Sequence, residues 1–169
     1  MVTGNQKATR PMGQRFTSNS VHKVDSKGRV SVPAGFRRVL EQASEPGVVL
    51  ISDFRGRGHI EGYTQDEMAI IYADIEAMDR YSEEREDLEM EITSQTVHLP
   101  LDENGRILLT KAVLAENGIT DTAVFLGMGT HFQIWSPKRL EEMKEARRER
   151  RTGAAFAKLP GTPRTEGAA

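Results

Sequence analysis

Apolar and polar residues alternate over short stretches of this chain, the period of half-buried strands, and only in a few places recur at helical spacing. Residues 20–24 and 96–101 read as strands, and each runs into a turn of the form Asp-x-x-Gly, from Asp25 to Gly28 and from Asp102 to Gly105. Asp at the first place can accept a hydrogen bond from the backbone ahead, and Gly at the fourth takes a positive φ at little cost, so both suit a tight turn. Beyond the turns, Val30 and Val32, then Ile107 and Leu109, alternate with polar or exposed positions and predict a second strand in each place. A short helix follows. The first begins near Pro33, whose missing N–H needs no partner there, and carries Phe36, Val39 and Leu40 on one face. The second is capped by Thr110 and carries Val113 and Leu114. The apolar runs 48–51 and 123–126 predict buried strands, and 59–64 and 131–136 predict further ones. Each of the latter ends on an aromatic residue (Tyr63, Trp135) followed by a hydroxyl residue able to cap a helix. Thr64 with Glu67 makes a capping-box pattern, and Ser136 with Pro137 an N-cap and N1 pair.

The same order of elements is therefore stated twice, and the residues repeat with it. Asp25-Ser26-Lys27-Gly28-Arg29-Val30-Ser31-Val32 recurs 77 residues later as Asp102-Glu103-Asn104-Gly105-Arg106-Ile107-Leu108-Leu109. His59-Ile60-Glu61-Gly62-Tyr63-Thr64 matches His131-Phe132-Gln133-Ile134-Trp135-Ser136. An ordered set of matches with small drifts in spacing is the mark of duplication with loop-length change. The predicted fold class is α+β, mainly β, built as two tandem modules with short helices. Between the modules, residues 65–90 read as helical and strongly acidic, with Met68, Ile71, Tyr72, Ile75, Met78 and Leu88 as the apolar residues.

Charge changes this picture more than bulk composition does. The formal net charge is −2, but residues 1–60 hold ten Lys/Arg against four Asp/Glu, whereas 61–104 hold two against fourteen. A local basic surface is enough for a polyanion partner, and the acidic middle would turn that surface toward it. By charge alone, an ordinary solvated surface reads the same way. The chain has no cysteine, which excludes disulfides and thiolate metal sites. It has no apolar run of membrane-spanning length, and residues 1–16 lack the apolar region of a signal peptide, so a cytoplasmic protein is expected. Catalytic motifs are wanting as well. There is no nucleophile elbow and no phosphate-binding loop, and the four histidines (His22, His59, His98, His131) form no pair at helical i, i+4 spacing. No enzyme activity, cofactor or metal is expected. Modules of this size bury too little surface to stand alone, so they are expected to lean on each other or on further copies of the chain.

The doubled Asp-x-x-Gly-Arg, the stretch Gly28-Arg29-Val30-Ser31-Val32-Pro33-Ala34-Gly35-Phe36-Arg37, and Leu126-Gly127-Met128-Gly129 with Phe132-Gln133-Ile134-Trp135 closely resemble the MraZ family of bacterial transcriptional regulators. The two halves of those proteins are each of the AbrB/SpoVT type. The resemblance covers about residues 15–144. It implies a swapped-hairpin, double-ψ-like fold, association into a ring of several subunits, and nucleoid-associated binding to double-stranded DNA carrying short direct repeats, at the promoter of the division and cell-wall gene cluster. With it, the chain divides into a flexible segment 1–14, a first module 15–72, an acidic helical connector 73–92, a second module 93–146 and a basic, disordered tail 147–169. Three positions depart from the family's pattern: Val24 for a commoner Leu, Thr110 for a Pro, and Asn104 where the first copy has Lys27.

The resemblance puts DNA contact on Lys27, Arg29 and Arg106, and the residue types agree. An arginine just after a tight turn is presented with little entropy loss, and its fork can bridge a phosphate or pair with the O6 and N7 edge of guanine. Lys27 suits phosphate attraction without base selectivity, and Arg37, on the first helix, is a further candidate for phosphate. The bland alternative is that Arg29 pairs with Asp25, and Arg106 with Asp102, merely to pin the turns. Asp25, Gly28, Asp102 and Gly105 are expected to form turns and not to do chemistry. Two rival functions stay open: an AbrB-type, antitoxin-like regulator that also neutralises a partner protein, and a ring-forming scaffold without specific DNA binding.

Overall fold

Strands β1 (Asn19–Lys23) and β2 (Arg29–Ser31) flank the first Asp-x-x-Gly turn in a computed structural model that describes residues 10–151. Val30 is buried while Arg29 and Ser31 on either side are half-buried, as alternation along the strand requires. Pro33 is the N-cap of α1 (Ala34–Glu41), and the predicted stripe of Phe36, Val39 and Leu40 faces inward. Strands β3 (Val48–Ser52) and β4 (Ile60–Tyr63) lead into α2 (Gln65–Glu76), where the Thr64 hydroxyl accepts from the Glu67 amide at 3.1 Å. The second half repeats the series: β5 (Val97–Leu99), β6 (Arg106–Leu108), α4 (Lys111–Glu116), β7 (Thr122–Gly127) and β8 (Phe132–Trp135). The Thr110 hydroxyl caps α4 by accepting from the Val113 amide at 3.3 Å.

The helical stretch expected over 65–90 is two helices: α2 ends at Glu76, and α3 spans Glu83–Glu91. Asp79 accepts from the Tyr81 amide at 2.9 Å and Ser82 caps α3 through the Arg85 amide at 3.3 Å, local side-chain bonds that compete with helix continuation. Of the segments expected to be loose, residues 1–9 and 152–169 lie outside those described. Residues 12–14 form one 3₁₀ turn, and 147–149 continue α5 (Pro137–Glu149). The chain divides at Pro137 and Lys138 into two units, and among the described residues every strand belongs to the first.

The two halves do not sit side by side as separate sheets. A six-stranded antiparallel sheet runs β1-β7-β8-β4-β3-β5, and β2 pairs with β6 in a separate two-stranded ladder. Exchanging each strand for its counterpart in the other half returns the same order read backwards. The registers obey the same exchange: Glu61 lies opposite its counterpart Gln133 at the centre of the sheet, and Val30 lies opposite its counterpart Ile107 in the ladder. At the ladder's ends the Leu109 amide donates to the Gly28 carbonyl at 2.8 Å and the Val32 amide to the Gly105 carbonyl at 3.0 Å, again counterparts.

The sheet has two different faces. On one, Leu50, Ile60, Phe125 and Phe132 pack beneath Val30 and Ile107 of the ladder and Phe36 of α1. The rings of Phe36 and Phe132 are 5.2 Å apart and those of Phe16 and Phe132 5.1 Å. Each such side chain contributes roughly 1.5–3 kcal/mol when fully buried. On the other face, Val49 and Ile51 pack against Met68 and Ile75 of α2 and against Ile92.

Candidate nucleic-acid interface

Both Asp-x-x-Gly-Arg turns are built by their aspartates. One oxygen of Asp25 accepts from the Lys27 amide at 3.0 Å and the Arg29 amide at 2.9 Å, and the other accepts from Arg29 Nε at 2.7 Å. Asp102 does the same for the Asn104 amide, the Arg106 amide and Arg106 Nε, each at 2.9 Å. The bond from the arginine's own amide is the chief cause holding each carboxyl below the ordinary aspartate range, with the guanidinium bond adding to it. Gly28 and Gly105 have φ of 86° and 71° and are buried. A Cβ on Gly28 would stand 2.2 Å from the Leu109 carbonyl oxygen, so only glycine lets the first turn approach the opposite strand.

Pinning and presenting are compatible here. Asp25 engages Arg29 through Nε, while the terminal guanidinium nitrogens make no hydrogen bond among the described residues, and 37% of the Arg29 side chain stays exposed. The alternative of a turn-pinning arginine is thus half of the geometry, and it fixes the fork's direction for the other half. Because Val30 and Ile107 face the core, Arg29 and Arg106 lie on the outward face of the same ladder, where Ser31 stands opposite Arg106. Lys27 is exposed at the tip of the first turn.

Arg37 lies with the other turn. Its Nη1 donates to the Asn104 carbonyl at 3.4 Å, and its side chain crosses the open side of Gly105. Its counterpart, Leu114, stands in the matching place by Gly28. The sequence could not assign Arg37 to a turn, because the assignment depends on the halves packing across each other.

A second polar cluster, on the opposite face of the sheet, escaped the sequence reading. Asp53, His59 and Glu61 are buried, with one ligand-type atom from each lying within 4.8 Å of the others. Arg57 supplies a cation to the two carboxylates. It binds both Asp53 oxygens, at 2.7 Å from Nη2 and 2.9 Å from Nε, and reaches Glu61 at 3.2 Å. Burial alone would raise the Glu61 carboxyl, but hydrogen bonds from His59 and Tyr63 outweigh it and hold it below the usual range. Burial, with the bond to Glu61, pushes the Tyr63 hydroxyl upward. Tyr63 and Trp135 stack on histidines from the opposite half: Trp135 on His59 at 4.3 Å and Tyr63 on His131 at 5.1 Å. The missed signal lay in a difference between the copies, since Gln133 matches Glu61 and Met128 matches Asp53.

Fold and site together define a class: an α+β protein with antiparallel sheets and two alike halves, which presents a matched pair of Asp-x-x-Gly-Arg turns on one ladder. No family model matches the chain. It is 40% identical over 147 residues to the transcriptional regulator MraZ of Ruegeria sp. (strain TM1040), covering 82% of this chain and 87% of that protein. To the transcriptional regulator MraZ of Rhodospirillum rubrum it is 41% identical over 138 residues, 75% and 82% of the two chains. To that of Gluconobacter oxydans it is 33% identical over 149 residues, 87% and 91%. The chain belongs to the MraZ family of transcriptional regulators.

Proposed function

We propose that this protein regulates transcription by binding double-stranded DNA through its two Asp-x-x-Gly-Arg turns. The observation that carries the reading is the pair of aspartate-oriented arginines, Arg29 and Arg106, on the outward face of one ladder. A guanidinium held at Nε keeps its outer edge for a guanine or a phosphate and loses little entropy on binding. Lys27 adds phosphate attraction at the first turn, and Arg37 adds a cation beside the second. No catalytic step is part of the reading.

The target follows the family: short direct repeats in a promoter, that of the division and cell-wall gene cluster, approached by a nucleoid-associated, cytoplasmic ring of subunits whose halves are AbrB-type swapped hairpins. Repeated sites and repeated subunits belong together, because linked weak modules raise avidity by roughly 10²–10⁴ without new contacts. A footprint on the DNA upstream of the protein's own gene tests it. Protection of regularly spaced short repeats, with DNA carrying one repeat bound far more weakly than DNA carrying several, is expected. Equal affinity for that DNA and a scrambled control would contradict specific regulation.

A further inference from the structure

We propose that the cavity between the six-stranded sheet, helix α2 and Ile92 is a binding site for a small amphipathic anion, a carboxylate or phosphate on an apolar body. The cavity has a volume of about 350 Å³ and lies on the sheet face opposite the Asp-x-x-Gly-Arg ladder. Its apolar lining includes Ile51 from the sheet, Met68 and Ile71 from α2, and Ile92. Arg55, Arg57, Glu61, Tyr63, His131 and Gln133 line the rest with polar groups. A concave apolar site with a few placed polar groups is the common form of a small-molecule site.

The charge of the ligand's head follows from which polar lining groups are already satisfied. Glu61 lines the cavity but accepts from the Tyr63 hydroxyl, from His59 Nε2 at 3.2 Å and from Arg57 Nη2 at 3.2 Å. Arg57 is in turn matched by Asp53 at 2.7 Å. A cationic head would therefore meet a carboxylate already neutralised and face two guanidinium groups. Arg55 is the lining cation with no carboxylate partner among the described residues. Its Cζ lies 5.2 Å from the centre of the exposed Phe54 ring, and its field reaches Tyr63. An anionic head at Arg55, with its tail laid on Ile51, Met68 and Ile71, pairs a charge left unmatched among the described residues and covers those apolar side chains.

Trp135 supplies the readout. It is the chain's single tryptophan, it is buried, and its indole N–H donates at 2.9 Å to Gln133, which lines the cavity. Octanoate, octyl phosphate and octylamine are titrated into the full-length protein without DNA, followed by tryptophan fluorescence and calorimetry. One or both anions should bind at one site per chain, and their ratio tells a carboxylate preference from a phosphate preference. Octylamine should bind at least about tenfold more weakly, the factor expected of one charge-assisted contact. Arg55→Ala, an exposed change, should cost the anions about the same factor, and Arg55→Glu should reverse the preference toward octylamine. Equal binding of octanoate and octylamine, indifference to both Arg55 changes, or no binding of either anion would overturn the proposal. Because DNA is absent from the experiment, the outcome is separate from that of the DNA-binding reading.

Discussion

The first and second Asp-x-x-Gly-Arg turns share one skeleton, in which the same five backbone and side-chain bonds recur at lengths differing by at most 0.2 Å. What differs is what hangs from it. The first turn carries Lys27, and the apolar Leu114 lies against its glycine. The second carries Glu103 and Asn104, with Arg37 reaching across from α1. The first turn thus holds its cations on its own backbone, and the second borrows one from the other half. Duplication kept the scaffold that aims an arginine and let the surrounding field drift, so the two turns should be equal in shape and unequal in grip.

The largest expected effect separates the turns by stability. Gly28→Ala places a Cβ against a backbone carbonyl in addition to straining φ, and should cost about 3 kcal/mol in urea or thermal melts. Gly105→Ala meets the Arg37 side chain, which can swing away, and should cost about 1–2 kcal/mol. Equal losses would mean that the close approach at Gly28 does not constrain the fold. Next comes the field. Lys27→Ala should weaken all DNA alike and flatten the salt dependence by about one counterion per contact, and Asn104→Lys should steepen it by a similar amount. No change in slope for either would remove Lys27 from the phosphate-contacting set.

The smallest effect is with acid. Asp25 and Asp102 both have folded pKa values lowered below the ordinary aspartate value, chiefly by the amides of Arg29 and Arg106. A lowered folded pKa contributes stability that is fully present above the unfolded value and is lost as pH falls through the folded one. Both turns should therefore hold at neutral pH and loosen only below the normal aspartate range. Carboxyl NMR should show both titrating below a peptide of the same sequence. A midpoint equal to the peptide's would contradict the turn geometry.

Much of this was legible in the chain. The turns, the stripe of Phe36, Val39 and Leu40, and the caps at Thr64 and Thr110 are local, set by spacing and by hydrogen bonds a few residues long, so the sequence displays them. The break after Glu76 was not visible, because apolar spacing continues through Met78 while Asp79 and Ser82 divert the backbone. The crossing of the halves, which brings β7 beside β1 and Arg37 beside Asn104, depends on contacts far apart in sequence. The cluster of Asp53, Arg57, His59 and Glu61 was hidden for a related reason. Its members belong to β4 and to the connection from β3 that precedes it, and their charges make sense only once folding has buried them together.

The central claim is that Arg29 is held by Asp25 in order to meet DNA, and Arg29→Ala tests it most directly. The mutant and the native protein are titrated against promoter DNA and a scrambled sequence of equal length, with melting curves and light scattering alongside, and Arg106→Ala serves as the internal comparison. Loss of a guanine contact should cost about 1–3 kcal/mol per site and narrow the gap between promoter and scrambled DNA, while leaving the fold and assembly intact. Arg106→Ala should do the same more weakly. Unchanged promoter affinity in a correctly folded Arg29→Ala protein, or loss of binding only together with early melting, would contradict the account.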